Sequence, residues 1–135
     1  MDRVKRIKNI LLIDDDYPTN YLHKIILMDT GHIDNIHDCT SVDDGINFLK
    51  EKFEENQSPE LIFIDINLPA KNGFDFIEEF DALDSELKSK SIVIMFSTSE
   101  NPRDLEKSKQ YSTIQDMLLK PLNEEIIFYL IEKFF

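Results

Sequence analysis

The chain has 135 residues, 41% of them hydrophobic, which is enough for one compact domain with a sizeable core and leaves no room for a second. Its 15 basic and 27 acidic residues give a formal net charge of -12, which repels phosphate backbones and argues against nucleic acid as a partner. Cys39 is the only cysteine, so an internal disulfide is excluded, and no apolar stretch approaches the roughly 18 residues of a membrane span. With no signal-peptide pattern in "MDRVKRIKN", the expectation is a cytoplasmic protein of one domain, residues 1–135, that meets a basic or apolar protein face.

Short apolar runs alternate with segments of helical character along the chain. Ile10 to Ile13 is too short for a helix and apolar enough for a strand buried on both faces. Asp14, Asp15 and Asp16 follow it. Pro18 suits the first turn of a helix running to about Asp29, with Gly31 just past its end. Ile33 to Thr40 is more polar, as suits an edge strand. Ser41 and Asp44 resemble a capping box for a second helix, whose apolar face is Ile46, Leu49 and Phe53. Leu61 to Ile64 reads as a third strand. After Gly73, Phe76, Ile77, Phe80 and Leu83 fall on one side of a third helix. Ile92 to Phe96 is a fourth strand. Asn101, Pro102 and Asp104 supply a cap, a first-turn proline and an early acid for a fourth helix, poor in apolar residues and ending near Tyr111. Met117 to Leu119 is the fifth strand. Asn123 caps a fifth helix, with Glu124 and Glu125 in its first turn and Ile126, Ile127, Leu130, Ile131 and Phe134 as its buried stripe.

Strands alternating with helices imply a parallel sheet covered on both faces, because each parallel connection needs a crossover. The expected fold is therefore α/β: a flavodoxin-like, doubly wound, five-stranded parallel sheet in the order 2-1-3-4-5, with five helices. The ligand crevice of such a sheet lies at the carboxyl ends of strands one and three, where the order reverses.

Polar residues stand at that same edge. Asp14 and Asp15 follow strand one, Asp65 follows strand three, Ser97 follows strand four and Lys120 follows strand five. Three carboxylates held close repel one another unless a cation shares the site, and hard oxygen ligands with room for water suit Mg2+.

The combination "LLIDDD", "FIDINLPAKNG", "IMFSTSENP" and "LLKPL" resembles the receiver domain of bacterial two-component response regulators, from about Asn9 to Phe135. The resemblance implies a signalling phosphoacceptor rather than an enzyme, in a stand-alone, chemotaxis-regulator-like form. Asp65 would take a phosphoryl group from a histidine kinase or phosphotransfer protein. Asp14, Asp15, Asp65 and the backbone carbonyl of Asn67 would hold Mg2+, Ser97 would bond a phosphoryl oxygen, and Lys120 would pair with the aspartate and then with the phosphoryl group. It also implies a cis Lys120–Pro121 bond and a downstream protein partner.

Two residues depart from the family pattern. Met117 stands three before Lys120, where the family usually has an aromatic switch residue, and Thr98 replaces a small alanine beside Ser97. Each site residue also has an ordinary reading. Asp14 to Asp16 can cap the first helix, Asp65 can serve a turn before Pro69, Ser97 can bond nearby backbone, and Lys120 can be solvated. His23 and His32 read as surface residues, and His37 with Cys39 falls short of a zinc set. The run "IIFYLIEKFF" holds more apolar residues than one stripe needs, so Phe128, Tyr129 or Phe135 is a candidate for a partner or homodimer surface. Two other functions compete. One is a receiver-like adaptor that is never phosphorylated. The other is a haloacid-dehalogenase-like phosphatase, which wants a second aspartate where this chain has Asn67.

Overall fold

The computed structural model describes residues 5–98 and 101–135. Ser99 and Glu100 of the third motif, "IMFSTSENP", lie outside the described residues. The strands are β1 (Ile7–Ile13), β2 (Ile33–Cys39), β3 (Leu61–Asp65), β4 (Ile92–Ser97) and β5 (Ile114–Leu119). All four neighbouring pairs are parallel, in the order β2-β1-β3-β4-β5. The expected topology is the observed one.

Alternation along each strand divides the core between the two faces. Leu11, Ile13, Ile62, Ile64, Val93 and Met95 point to one side and meet α2 (Val42–Glu54) and α3 (Gly73–Asp81). Ile10, Leu12, Leu61, Phe63, Ile94 and Phe96 point to the other, where α1 (Tyr17–Asp29) and α6 (Glu124–Phe134) contribute Leu27, Ile127, Leu130 and Ile131. Both faces are covered, so the central strands read as unbroken apolar runs.

Among the described residues there are six helices, one more than expected. The addition is α4 (Ser85–Lys88), a single turn capped by Asp84 that buries only Leu87. Four residues carry too little periodicity to be seen in advance. Helix α3 stops at Asp81, short of Leu83, which still packs against the core from the following turn. Helix α5 (Pro102–Ser108) ends three residues before Tyr111. Ser41 caps α2 by accepting from Asp44 N at 3.1 Å, while the reciprocal capping box forms between Asn72 and Asp75 at the start of α3.

Register brings the chemistry together. Ile13 lies opposite Ile64, and Asp65 opposite Phe96, so the residues leaving β1, β3 and β4 emerge at one height on one edge. Ser97 pairs with Leu119, which puts Lys120 at that edge too.

Candidate functional site

Asp14 and Asp65 are buried, at 4% and 6% exposure, while Asp15 is exposed. One carboxylate oxygen from each of the three lies within 4.8 Å of the others, and this is the one group of three or more acidic, His or Cys residues so gathered among the described residues. Lys120 reaches across from the end of β5. Its Nζ donates to Asp65 Oδ2 at 3.1 Å and also bonds Asp14 Oδ2.

Local backbone fixes the rest of each carboxylate. Asp16 N donates to Asp14 Oδ1 at 2.9 Å, and Asn67 N donates to Asp65 Oδ1 at 3.2 Å. Asp16 itself turns away and caps α1 by accepting from Thr19 N at 3.2 Å. Behind Asp65, Gly73 N donates to Ile66 O at 2.8 Å, and a Cβ on Gly73 would stand 2.7 Å from Asp65 O. Glycine is required there by close approach of two backbones. Ser97 is buried one residue past Phe96, the partner of Asp65 in the sheet, and its carbonyl accepts from Lys120 N at 2.8 Å. The Lys120–Pro121 peptide is cis.

The electrostatics are those of an under-neutralised acidic pocket. Burial raises the Asp65 carboxyl above its ordinary range, with Asp14 adding to the rise and Lys120 and the Asn67 N–H opposing it. Burial also works against the Lys120 ammonium, but its bonds and attraction to Asp14 and Asp65 outweigh that and raise its pKa. Three carboxylates against one ammonium leave a charge deficit of about two, which suits a divalent ion. Mg2+ is a hard divalent ion of this kind. The donor set is all hard oxygen, as that ion prefers.

The sequence profile of the response regulator receiver domain matches residues 10–132. The chain belongs to that family. A two component response regulator from Cytophaga hutchinsonii is 35% identical, with a TM-score of 0.89 over 96% of this chain and 97% of that one. The Mn(2+)-bound form of response regulator Rcp1 is 27% identical, with a TM-score of 0.70 over 93% and 90%. Sensory transduction protein LytT of Oceanobacillus iheyensis is 34% identical over 64% of this chain, which spans about a third (32%) of that relative's length.

Within this receiver the expected residues Asp14, Asp15, Asp65, Asn67, Ser97 and Lys120 are brought to one edge, and the expectation for His23 needs correction. His23 is buried, not at the surface: it packs 6.2 Å from the Phe96 ring, and its Nε2 accepts from Leu122 N at 3.4 Å. His32 is half-buried and stands edge-on to Phe128, its Nδ1 2.8 Å from Lys5 O. His37 packs on Phe48, and burial chiefly lowers its pKa. Met117 is half-buried against the core and lines a cleft of about 430 Å³ with Ser97, Leu105 and Leu119. Thr98 is exposed.

Sequence reasoning also missed Asn20, which is 1% exposed and donates through Nδ2 to Asp14 O at 2.8 Å. Nothing in its spacing marks it. Five apolar residues of α1, Tyr17, Tyr21, Leu22, Ile25 and Met28, are exposed, while Asn20 and His23 face inward beside Leu27.

Proposed function

We propose that this receiver is phosphorylated on Asp65 by a histidine kinase or phosphotransfer protein in the presence of Mg2+. The observation that carries the reading is Lys120 Nζ set between Asp14 and Asp65 in a buried, three-carboxylate pocket. In the transfer, the N–P bond of a phosphohistidine breaks, a P–O bond forms to an Asp65 oxygen, and the electron pair leaves with the imidazole. A carboxylate is a weak nucleophile, so the rate comes from positioning and charge neutralisation.

Asp14, Asp15, Asp65 and the Asn67 carbonyl would hold the metal, which when bound neutralises charge on the phosphoryl oxygens. The Mn(2+) bound to response regulator Rcp1, a divalent ion in a protein of similar fold, supports that choice. Asn67 N and Lys120 orient the Asp65 carboxylate, and Lys120 then follows the new negative charge onto the phosphoryl group. The Ser97 hydroxyl bonds one phosphoryl oxygen. The product adds about one to two negative charges, which biases the loop after β4 and the α5–β5–α6 surface read by a downstream protein. The exposed apolar stripe of α1 begins at Tyr17, directly after the site, and so favours α1 as the docking face for the phosphodonor protein.

Treatment with acetyl phosphate and Mg2+ should retard the band on a phosphate-affinity gel, and Asp65→Asn should remove the retarded band. An unshifted wild-type band in every condition would refute the reading. Met117, in place of an aromatic switch, favours one rival, an unphosphorylated adaptor, for which partner binding would be unchanged in Asp65→Asn.

A further inference from the structure

Helix α1 carries two buried polar side chains, Asn20 and His23, at a spacing that puts both on one face. That face lines a cavity about one water in size, together with Asp14, Asp65, Lys120, Phe63 and Phe96. Asn20 holds the carbonyl of Asp14, while its own Oδ1 is buried without a hydrogen-bond partner. An aliphatic residue at position 23 would fill the space between Phe96 and Leu122 without the desolvation that a buried imidazole incurs. The ring therefore calls for a polar reason.

Backbone accounting over Lys120, Pro121 and Leu122 supplies one. Pro121 has no N–H, so only two backbone donors hold this segment. Lys120 N goes to Ser97 O on β4 at 2.8 Å, and Leu122 N goes to His23 Nε2 on α1 at 3.4 Å. Lys120 is thus anchored on one side by the sheet and on the other by α1. Leu122 itself is buried, at 1% exposure.

We propose that His23 is a positioning residue for Lys120: its unprotonated Nε2 holds the Leu122 amide, and this fixes the segment that sets Lys120 Nζ between Asp14 and Asp65. The bond requires the imidazole proton on Nδ1. Burial, then the nearby Lys120 ammonium, lower the ring's pKa against the opposing charge of Asp14, in the direction of that neutral form. The inference rests on the reading of Asp65 as phosphoacceptor, because its consequence is a rate of phosphoryl transfer.

The test uses the full chain, acetyl phosphate and Mg2+, and compares His23→Leu, which removes the acceptor, with His23→Gln, whose Oε1 can replace it. His23→Leu should be phosphorylated ten- to a hundredfold more slowly, as expected on the order of a misplaced charge. His23→Gln should recover to within about threefold of wild type. Equal rates in wild type and His23→Leu, or an equal loss in both variants, would overturn the proposal. Should His23→Leu fail to fold, a long-range 1H–15N spectrum of the native protein decides the matter. A bare Nε2 with the proton on Nδ1 upholds the contact, and a proton on Nε2 overturns it. Failure of the wild-type chain to accept phosphate would instead refute the functional reading, leaving the tautomer spectrum to judge His23 separately.

Discussion

Replacing Gly73 with alanine should damage the site from behind without touching any charged group. The added Cβ would lie 2.7 Å from Asp65 O and 2.9 Å from Ile66 Cα, both main-chain atoms of the segment that carries the Asp65 carboxylate. Restoring an ordinary contact of about 3.4 Å needs a shift of about 0.7 Å, and neither neighbour is a flexible side-chain end that could yield. Overpacking of this kind costs about 1–3 kcal/mol. With an unfolding entropy of about 2.1 cal/mol/K per residue, the chain has a total near 0.28 kcal/mol/K, so the melting temperature should fall by about 4–11 °C. Displacing the Asp65 backbone should also slow phosphorylation about tenfold or more. Thermal unfolding by circular dichroism and a timed phosphate-affinity gel measure the two effects. Gly45→Ala is the control, because its Cβ meets side chains rather than main chain, the Ile13 Cδ1 at 2.6 Å and Phe76 Cε2 at 3.7 Å. A Gly73→Ala protein that melts within about 1 °C of wild type and reacts at the wild-type rate would refute the close-approach argument.

Three further outcomes follow from the same geometry. Lys120→Met leaves Asp14 and Asp65 without their shared ammonium, so the Asp65 carboxyl should titrate still higher and phosphorylation should slow about a hundredfold; a near-wild-type rate would contradict this. His23 is pushed below its ordinary pKa, chiefly by burial and then by Lys120, so as pH falls below about 6.5 the unfolded chain takes up a proton before the folded one. Its contribution is therefore complete above that pH and is lost as pH falls toward the lowered folded value, at up to about 1.4 kcal/mol per pH unit, and urea midpoints of His23→Gln should show a flatter acid limb than wild type. Cys39 is pushed up to about 11 by burial and then by the charges of Asp44 and Asp38. Its alkylation by iodoacetamide near pH 8 should be about a hundredfold slower than that of an ordinary thiol, and rapid labelling of the folded protein would count against the burial described.

Much of the architecture was legible because the central strands are buried on both faces. Leu61 to Ile64 and Ile92 to Phe96 are uninterrupted apolar runs, and the charged or hydroxyl residue after each marks the edge where the crevice opens. The first half of β5 was not legible, since Gln115 and Asp116 sit on an edge strand with one side toward solvent. Helix α1 misleads for a related reason: its exposed side carries five large apolar residues, and its buried side holds Asn20 and His23 beside Leu27. Hydrophobic periodicity identifies a helix but not which neighbours its polar residues will meet. The partners of those two residues, the Asp14 carbonyl and the Leu122 amide, are 6 and 99 residues away, so only the folded chain reveals them.

In the function proposed here Asp65 becomes an acyl phosphate. Borohydride reduces such a group to an alcohol, so phosphorylated protein treated with it, digested and sequenced by mass spectrometry reports the modified carboxyl directly. Reduction confined to position 65, and strongly diminished when Lys120 is replaced by methionine under the same brief exposure, is the result expected. A modified residue anywhere else, or an unchanged Asp65 peptide from protein shown to carry phosphate, would contradict the account.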